Sequence, residues 1–201
     1  MTNFDLLNIE LKETGSKNQS FFEKALDPIS TLLNSKVSAK PYKEILVKYL
    51  DILQGNELGM VIRALSEKGL VDVSSRLIKI LFSKDNYPNL DLWVVGNAIN
   101  IIDDKTTYNE VLKICQISEL GISRQMMMTT LRKMKTEESF KVLINSLNDE
   151  SIKGHAIDEL GKWGDERALG PIENIKVRKG LFEEKAKKKA IEILKMSASK
   201  F

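Results

Sequence analysis

Three segments of the chain align with one another without gaps. They read Val94-Val95-Gly96-Asn97-Ala98-Ile99-Asn100-Ile101-Ile102, then Ser123-Arg124-Gln125-Met126-Met127-Met128-Thr129-Thr130-Leu131, then Ile152-Lys153-Gly154-His155-Ala156-Ile157-Asp158-Glu159-Leu160. Their anchors, Ala98, Met127 and Ala156, follow one another at 29 residues. A fourth copy centres on Ala190, 34 residues further on, and an earlier one on Val61. Before each anchored segment lies another amphipathic stretch: Tyr42–Leu53, Val71–Phe82, Thr107–Ile117, Glu137–Leu147 and Asp165–Val177. In these stretches apolar residues recur at helical spacing, as at Ile45, Leu46, Leu50 and Leu53. A helix pair of about 30 residues cannot cover its own apolar face, and stacked neighbours can. The period therefore predicts an all-α chain, an α-solenoid of about five helix pairs. Residues 1–39 form an N-terminal helical cap, and residues 40–201 form one continuous array.

Punctuation agrees with helices. Pro41 stands where a helix can begin. Gly55-Asn56 and Gly69 read as stops, and Asp85-Asn86-Tyr87-Pro88-Asn89 reads as a loop. No alternating strand pattern bounded by hairpin signals occurs. Small anchors let helices approach closely. Met127 departs from that rule, and a flexible methionine fills an irregular gap. Gly96 and Gly154, away from helix ends, also predict close packing.

One stretch carries a family resemblance. Gly154-His155-Ala156-Ile157-Asp158-Glu159-Leu160-Gly161-Lys162-Trp163-Gly164-Asp165-Glu166-Arg167-Ala168-Leu169-Gly170-Pro171-Ile172 resembles the HEAT-like repeat named after phycobilisome lyases. That repeat has an alanine, then Leu-Gly, then Gly-Asp, an alanine, and Leu or Ile. The segment from Arg124 through Leu143, with Leu147-Asn148-Asp149, resembles the preceding repeat, and Trp93 to Ala98 is similar to a variant in bacterial HEAT-repeat proteins. The resemblance covers about residues 89–196 well and 40–88 weakly. It implies a right-handed superhelix, armadillo-like in outline, whose second helices line a concave face. It says almost nothing about function.

On the third copy, 152, 156, 159, 160 and 163 share the core side, and 154, 158, 161 and 162 point the other way. Translation by 29 adds Gln125, Thr129, Arg132 and Lys133, and a second translation adds Gly96, Asn100, Asp103 and Asp104. Trp93, Asn97, Arg124 and His155 flank this stripe. The candidate partner-binding residues are therefore Trp93, Asn97, Asn100, Arg124, Gln125, Arg132, His155, Asp158 and Lys162. Trp and Arg are favoured anchors at such surfaces. Each also has a plainer reading: Trp93 and Trp163 as packing between repeats, His155 as a hydrogen-bonded seam residue, and Met126 to Met128 as core filling.

Chemistry is sparse. One histidine and one cysteine, His155 and Cys115, stand forty residues apart, which offers neither a nucleophile pair nor a zinc-ligand set. Gly161-Lys162-Trp163-Gly164 lacks the spacing of a phosphate loop. The acid pairs Asp103-Asp104 and Glu137-Glu138 fall at helix ends, where capping accounts for them. No catalytic residue, cofactor or metal is expected. The net charge is +3, but the stretch from Lys176 onward carries +6, leaving −3 for the rest. Glu183, Glu184 and Glu192 sit among those lysines, as on a solvated helix face. No secretory or membrane-spanning pattern appears, so a cytoplasmic location is expected. The function expected is a non-enzymatic scaffold or adaptor that binds another protein or peptide, including inhibitor or immunity types. The alternative is DNA binding through Arg124, Arg132, Lys133, Lys153, Lys162, Lys187 and Lys188, a stripe interrupted by acids.

Overall fold

Each apolar stripe in the sequence ends at a turn, and the turns cut the chain into short helices. The computed structural model describes residues 1–17, 25 and 27–198. Among these there are α-helices and 3-10 turns and no strand. The expected N-terminal cap falls partly on residues 18–24 and 26, and the last basic residue is Lys200; these lie outside the described residues. The chain divides into two compact units, residues 1–104 and 105–201.

The first unit holds α1 (Asn3–Lys17), α2 (Pro28–Leu33), α3 (Lys43–Tyr49), α4 (Gly55–Ala64), α5 (Val71–Phe82) and α6 (Leu92–Ile102). Here α2, α4 and α6 pack in succession, α3 packs on α4, α5 packs on α6, and α1 touches α2 and α3. Leu46, Leu58, Ile62, Leu77, Val95 and Ala98 form the core. The second unit holds α7 (Tyr108–Cys115), α8 (Met127–Met134), α9 (Glu137–Asn145), α10 (Lys153–Trp163), α11 (Leu169–Asn174) and α12 (Phe182–Ala198). In this unit α8, α10 and α12 pack in succession, and each pairs with the helix before it. All five repeat anchors, Val61, Ala98, Met127, Ala156 and Ala190, are buried.

The tightest approach joins α10 to α12. A Cβ placed on Gly161 would stand 2.7 Å from the Cβ of Ala190 and 2.8 Å from its Cα. One on Gly154 would come within 3.0 Å of the Phe182 ring. Gly154 and Gly161 are two helical turns apart, so hydrogen stands in place of a side chain along one ridge of α10, and Ala186 and Ala190 are buried on α12. Gly164, at φ +82°, then closes α10 in the left-handed region that suits glycine.

Successive helix pairs are also tied by polar rungs, at separations of 25–30 residues. Lys43 meets Asp72 at 2.6 Å, Arg76 meets Asp51 at 2.7 Å, and Ser38 donates to Glu67 at 2.8 Å. In the second unit Arg124 reaches Asp149 at 2.6 Å, Arg132 reaches Glu159 at 2.5 Å, and Arg167 reaches Glu137 at 3.0 Å. The separation matches the repeat length, so these bonds hold register between pairs. Exposed rungs such as Arg167–Glu137 add little stability on their own.

Several boundaries differ from the sequence expectation. The first stretch is a 3-10 turn, Lys40–Tyr42, followed by α3, which ends at Tyr49. Gly55 begins α4 and does not close α3. Leu50 and Leu53 are buried in the turn between them, which prolongs the helical pattern past the end of the helix. Gly161, expected on the accessible stripe, is buried against α12. Ser123 and Arg124, expected inside a helix, belong to a 3-10 segment kinked at Gly121, and α8 begins only at Met127.

Candidate functional site

Most of the expected stripe lies in the second unit, along α8 and α10. Gln125, Thr129 and Arg132 on one side, and His155, Asp158 and Lys162 on the other, are partly or fully exposed. Thr129, Arg132 and Lys162 are joined through Glu159, a carboxylate only 3% exposed. It accepts from Thr129 Oγ1 at 3.1 Å, Arg132 Nε at 2.5 Å and Lys162 Nζ at 2.7 Å. Lys162 also pairs with Asp158 at 2.6 Å. Burial works to lower the Lys162 pKa, but hydrogen bonds to Asp158 and Glu159 outweigh it and hold the ammonium above its ordinary range. Periodicity places Glu159 on the core side. An acid at a core position is itself a sequence signal, because buried charges need partners.

Arg124 occupies a different environment from the one expected. It is 2% exposed, within the second unit and not flanking an open stripe. The 3-10 turn carries its guanidinium back under the end of α7. There it donates to the carbonyls of Cys115 and Ser118, each at 3.2 Å, and of Gly121 at 3.2 Å. It also donates to Asp149 Oδ2 at 2.6 Å and Ser151 Oγ at 3.1 Å. One fork thus satisfies carbonyls at the end of α7 and binds the loop leading to α10. Burial raises the Asp149 pKa, and hydrogen bonds from Ser151 and Arg124 more than reverse this, leaving it below the usual carboxylate range. Lys153, 29 positions on, repeats the device. It is buried and bonds Glu150 at 2.6 Å and the Lys176 carbonyl at 3.2 Å.

Trp93, Asn97 and Asn100 stand on α6 in the first unit, half-buried and at i, i+4, i+7 along one side of that helix. Asp91 caps α6 by accepting from the Trp93 N–H at 3.0 Å. Trp163 is half-buried; its ring meets Phe140 edge-on at 5.4 Å and carries Lys135 Nζ at 4.5 Å.

At the N-terminal ends of α10 and α12 the second unit opens into a cavity of about 370 Å³. Gln125 and His155 line it beside Leu181, Phe182 and Arg178. Gln125 is held by a bond from its amide to the Ser151 carbonyl at 2.8 Å. The His155 ring packs against Phe182 with centroids 5.1 Å apart. Leu181 and Phe182 are 46% and 52% exposed. The stripe pattern missed them because they precede α12's buried positions, yet a pair of large apolar residues after Gly180 was visible. Arg178 is engaged by Glu183 at 2.6 Å.

Burial lowers the His155 pKa from its ordinary 6.5, against the pull of Asp158 and Glu159. Just below pH 6.5 the unfolded chain takes up this proton more readily than the folded one. Stability therefore falls with acidification under 6.5 and stops falling once the folded form is protonated too. Urea midpoints between pH 7.5 and 5 should decline for the wild type and stay flatter for His155→Gln; parallel curves would remove His155 as the source.

Among the described residues no group of three or more His, Cys, Asp or Glu is placed to hold a metal ion, and no helix is long and apolar enough to cross a membrane. Comparisons with protein-family models, curated proteins and solved structures find no match.

Proposed function

We propose that this chain is a non-enzymatic protein-binding scaffold, a solenoid of HEAT-like helix pairs that holds a partner along its second helices. The observation that carries this reading is the apolar pair Leu181 and Phe182, half-exposed at a cavity beside Gln125 and His155. Large apolar side chains rimmed by polar ones are the usual anatomy of a binding hot spot. The rigid Arg132–Glu159–Lys162 lattice beside it gives a partner a preorganised polar surface. Helix pairs with buried anchors, three of them spaced at 29 residues, and rungs of similar span support the solenoid. Trp93, Asn97 and Asn100 offer a candidate contact stripe of their own along α6 in the first unit.

DNA binding receives less support. Arg124 and Lys153 are buried, Arg132 and Lys162 are paired with carboxylates, Lys187 donates to the carbonyls of Glu173 and Ile175, and Lys188 pairs with Glu184. Lys133 also has an interaction within the chain. Phosphate neutralisation needs uncommitted cations and weakens steeply with salt.

The test is capture from the native host with wild type and Phe182→Asp, at 50 and 300 mM salt. A protein retained by the wild type at both salts and lost with Phe182→Asp is expected, since one true hot spot is worth about 2 kcal/mol or more. A partner held equally by both forms, or nucleic acid released by salt, overturns the reading. Arg124 is unsuitable for this test because it is buried and bonded within the second unit, so its removal is expected to destabilise the fold as well.

A further inference from the structure

We propose that the furrow between α7 and α9 in the second unit is a docking groove for an extended peptide segment bearing acidic side chains. This surface is formed by first helices and does not rest on the reading above. Its walls are translated copies of each other. On α7 and its C-cap, Asn109, Leu112, Lys113 and Gln116 line a cavity of about 480 Å³. Glu138, Lys141, Val142 and Asn145 of α9 line the other side, each 29 residues further on. Both sets run i, i+3, i+4, i+7, so each is a single helix stripe facing the furrow.

The chemistry of these walls narrows the occupant. Two helices in contact leave a furrow narrower than the roughly 10–12 Å of a helix with its side chains, so an extended chain fits better than a helix. Leu112 and Val142 supply apolar surface. Gln116 and Asn145 hold equivalent positions at one end, both exposed. A carboxamide presents a donor and an acceptor together, which matches the peptide unit. The Gln116 amide is oriented by its bond to the Leu112 carbonyl at 2.9 Å. Lys113 and Lys141 are exposed; neither lies within ion-pair distance of a described carboxylate, and Lys141 exerts only a longer-range pull on Glu137. Glu138 is the only acid in the furrow lining, so the walls carry a net positive charge that an acidic peptide would match. Past Gln116, Val142 and Asn145 the furrow continues into a second cavity of about 270 Å³ that reaches Ser118 and Asp149. Cys115 borders this extension. Burial pushes its thiol up to about 12, against the opposing pull of Arg124, so it offers a neutral wall and no nucleophile.

The experiment is selection of a phage-displayed random 12-residue library on the immobilised full chain, followed by fluorescence anisotropy with the enriched peptides. Expected are sequences enriched in Asp and Glu. Their Kd should rise at least tenfold with Lys113→Glu/Lys141→Glu and with Asn145→Leu, and stay unchanged with Phe182→Asp. Thermal melts establish that the variants remain folded; exchanging the peptide's acids for Asn on unaltered protein should also weaken binding tenfold. No enrichment, enrichment without acids, or affinity indifferent to both groove variants and to the acid-to-Asn exchange overturns the proposal. Peptides sensitive only to Phe182→Asp overturn it too, while supporting the surface at Leu181 and Phe182.

Discussion

Replacing Arg124 by methionine is expected to destabilise the second unit by about 3 kcal/mol, the low end of the cost of breaking a buried ion pair from one side, because water reaches the remaining Asp149, whose side chain is 27% exposed. Methionine keeps much of the packing volume and removes every donor. Asp149 then keeps Ser151 but loses its cation, and the carbonyls of Cys115 and Ser118 lose this donor inside the protein. Arg124→Lys should recover only part of the loss. A point ammonium can reach Asp149 or a carbonyl but cannot span both as the planar fork does. Urea denaturation at pH 7 reads the difference. A loss under about 1 kcal/mol would mean that the buried guanidinium contributes little net stability.

The second large effect is expected at the seam of α10 and α12. Gly161→Ala places a methyl within 2.8 Å of backbone as well as of the Ala190 methyl, so the helices must separate. Overpacking of this kind costs about 1–3 kcal/mol. Because α12 packs chiefly on α10 and α11, the damage should be local: amide exchange should accelerate in 182–198 while α8 and α9 keep their protection. Ala190→Gly should restore part of the stability in the double variant by relieving the methyl–methyl contact. Unchanged exchange in α12 would mean that the two backbones can shift apart at little cost.

The helical class and the five buried anchors were legible from periodicity and self-comparison. So was the exposed character of Gln125, Arg132, His155, Asp158 and Lys162, because a period of 3.6 assigns positions to sides of a helix. Helical spacing stops assigning sides where the chain leaves the helix, and it misassigns glycines such as Gly96 and Gly161 that are buried within one. Arg124 was placed by the same rule, but Gly121 kinks the preceding segment into a 3-10 turn and the side chain swings inward. The end of α3 was hidden because Leu50 and Leu53 keep the apolar rhythm through a turn. Gly161 satisfied the pattern of an open position, yet its lack of a side chain marks where another helix comes closest. Leu181 and Phe182 lie outside every aligned copy, so no repeat argument could single them out.

Sequence alone determined the elements: where apolar stripes recur, which residues anchor them, and that no strand pattern competes. Those are local properties, written in spacing. Tertiary structure decided which charges are free and which are spent. Glu159 becomes a hub, Arg124 an internal clasp, and Lys113 and Lys141 stay beyond ion-pair distance of the described carboxylates because of what neighbouring helices bring, or do not bring, within about 3 Å, the range over which hydrogen bonds form. Linear order does not encode that distance.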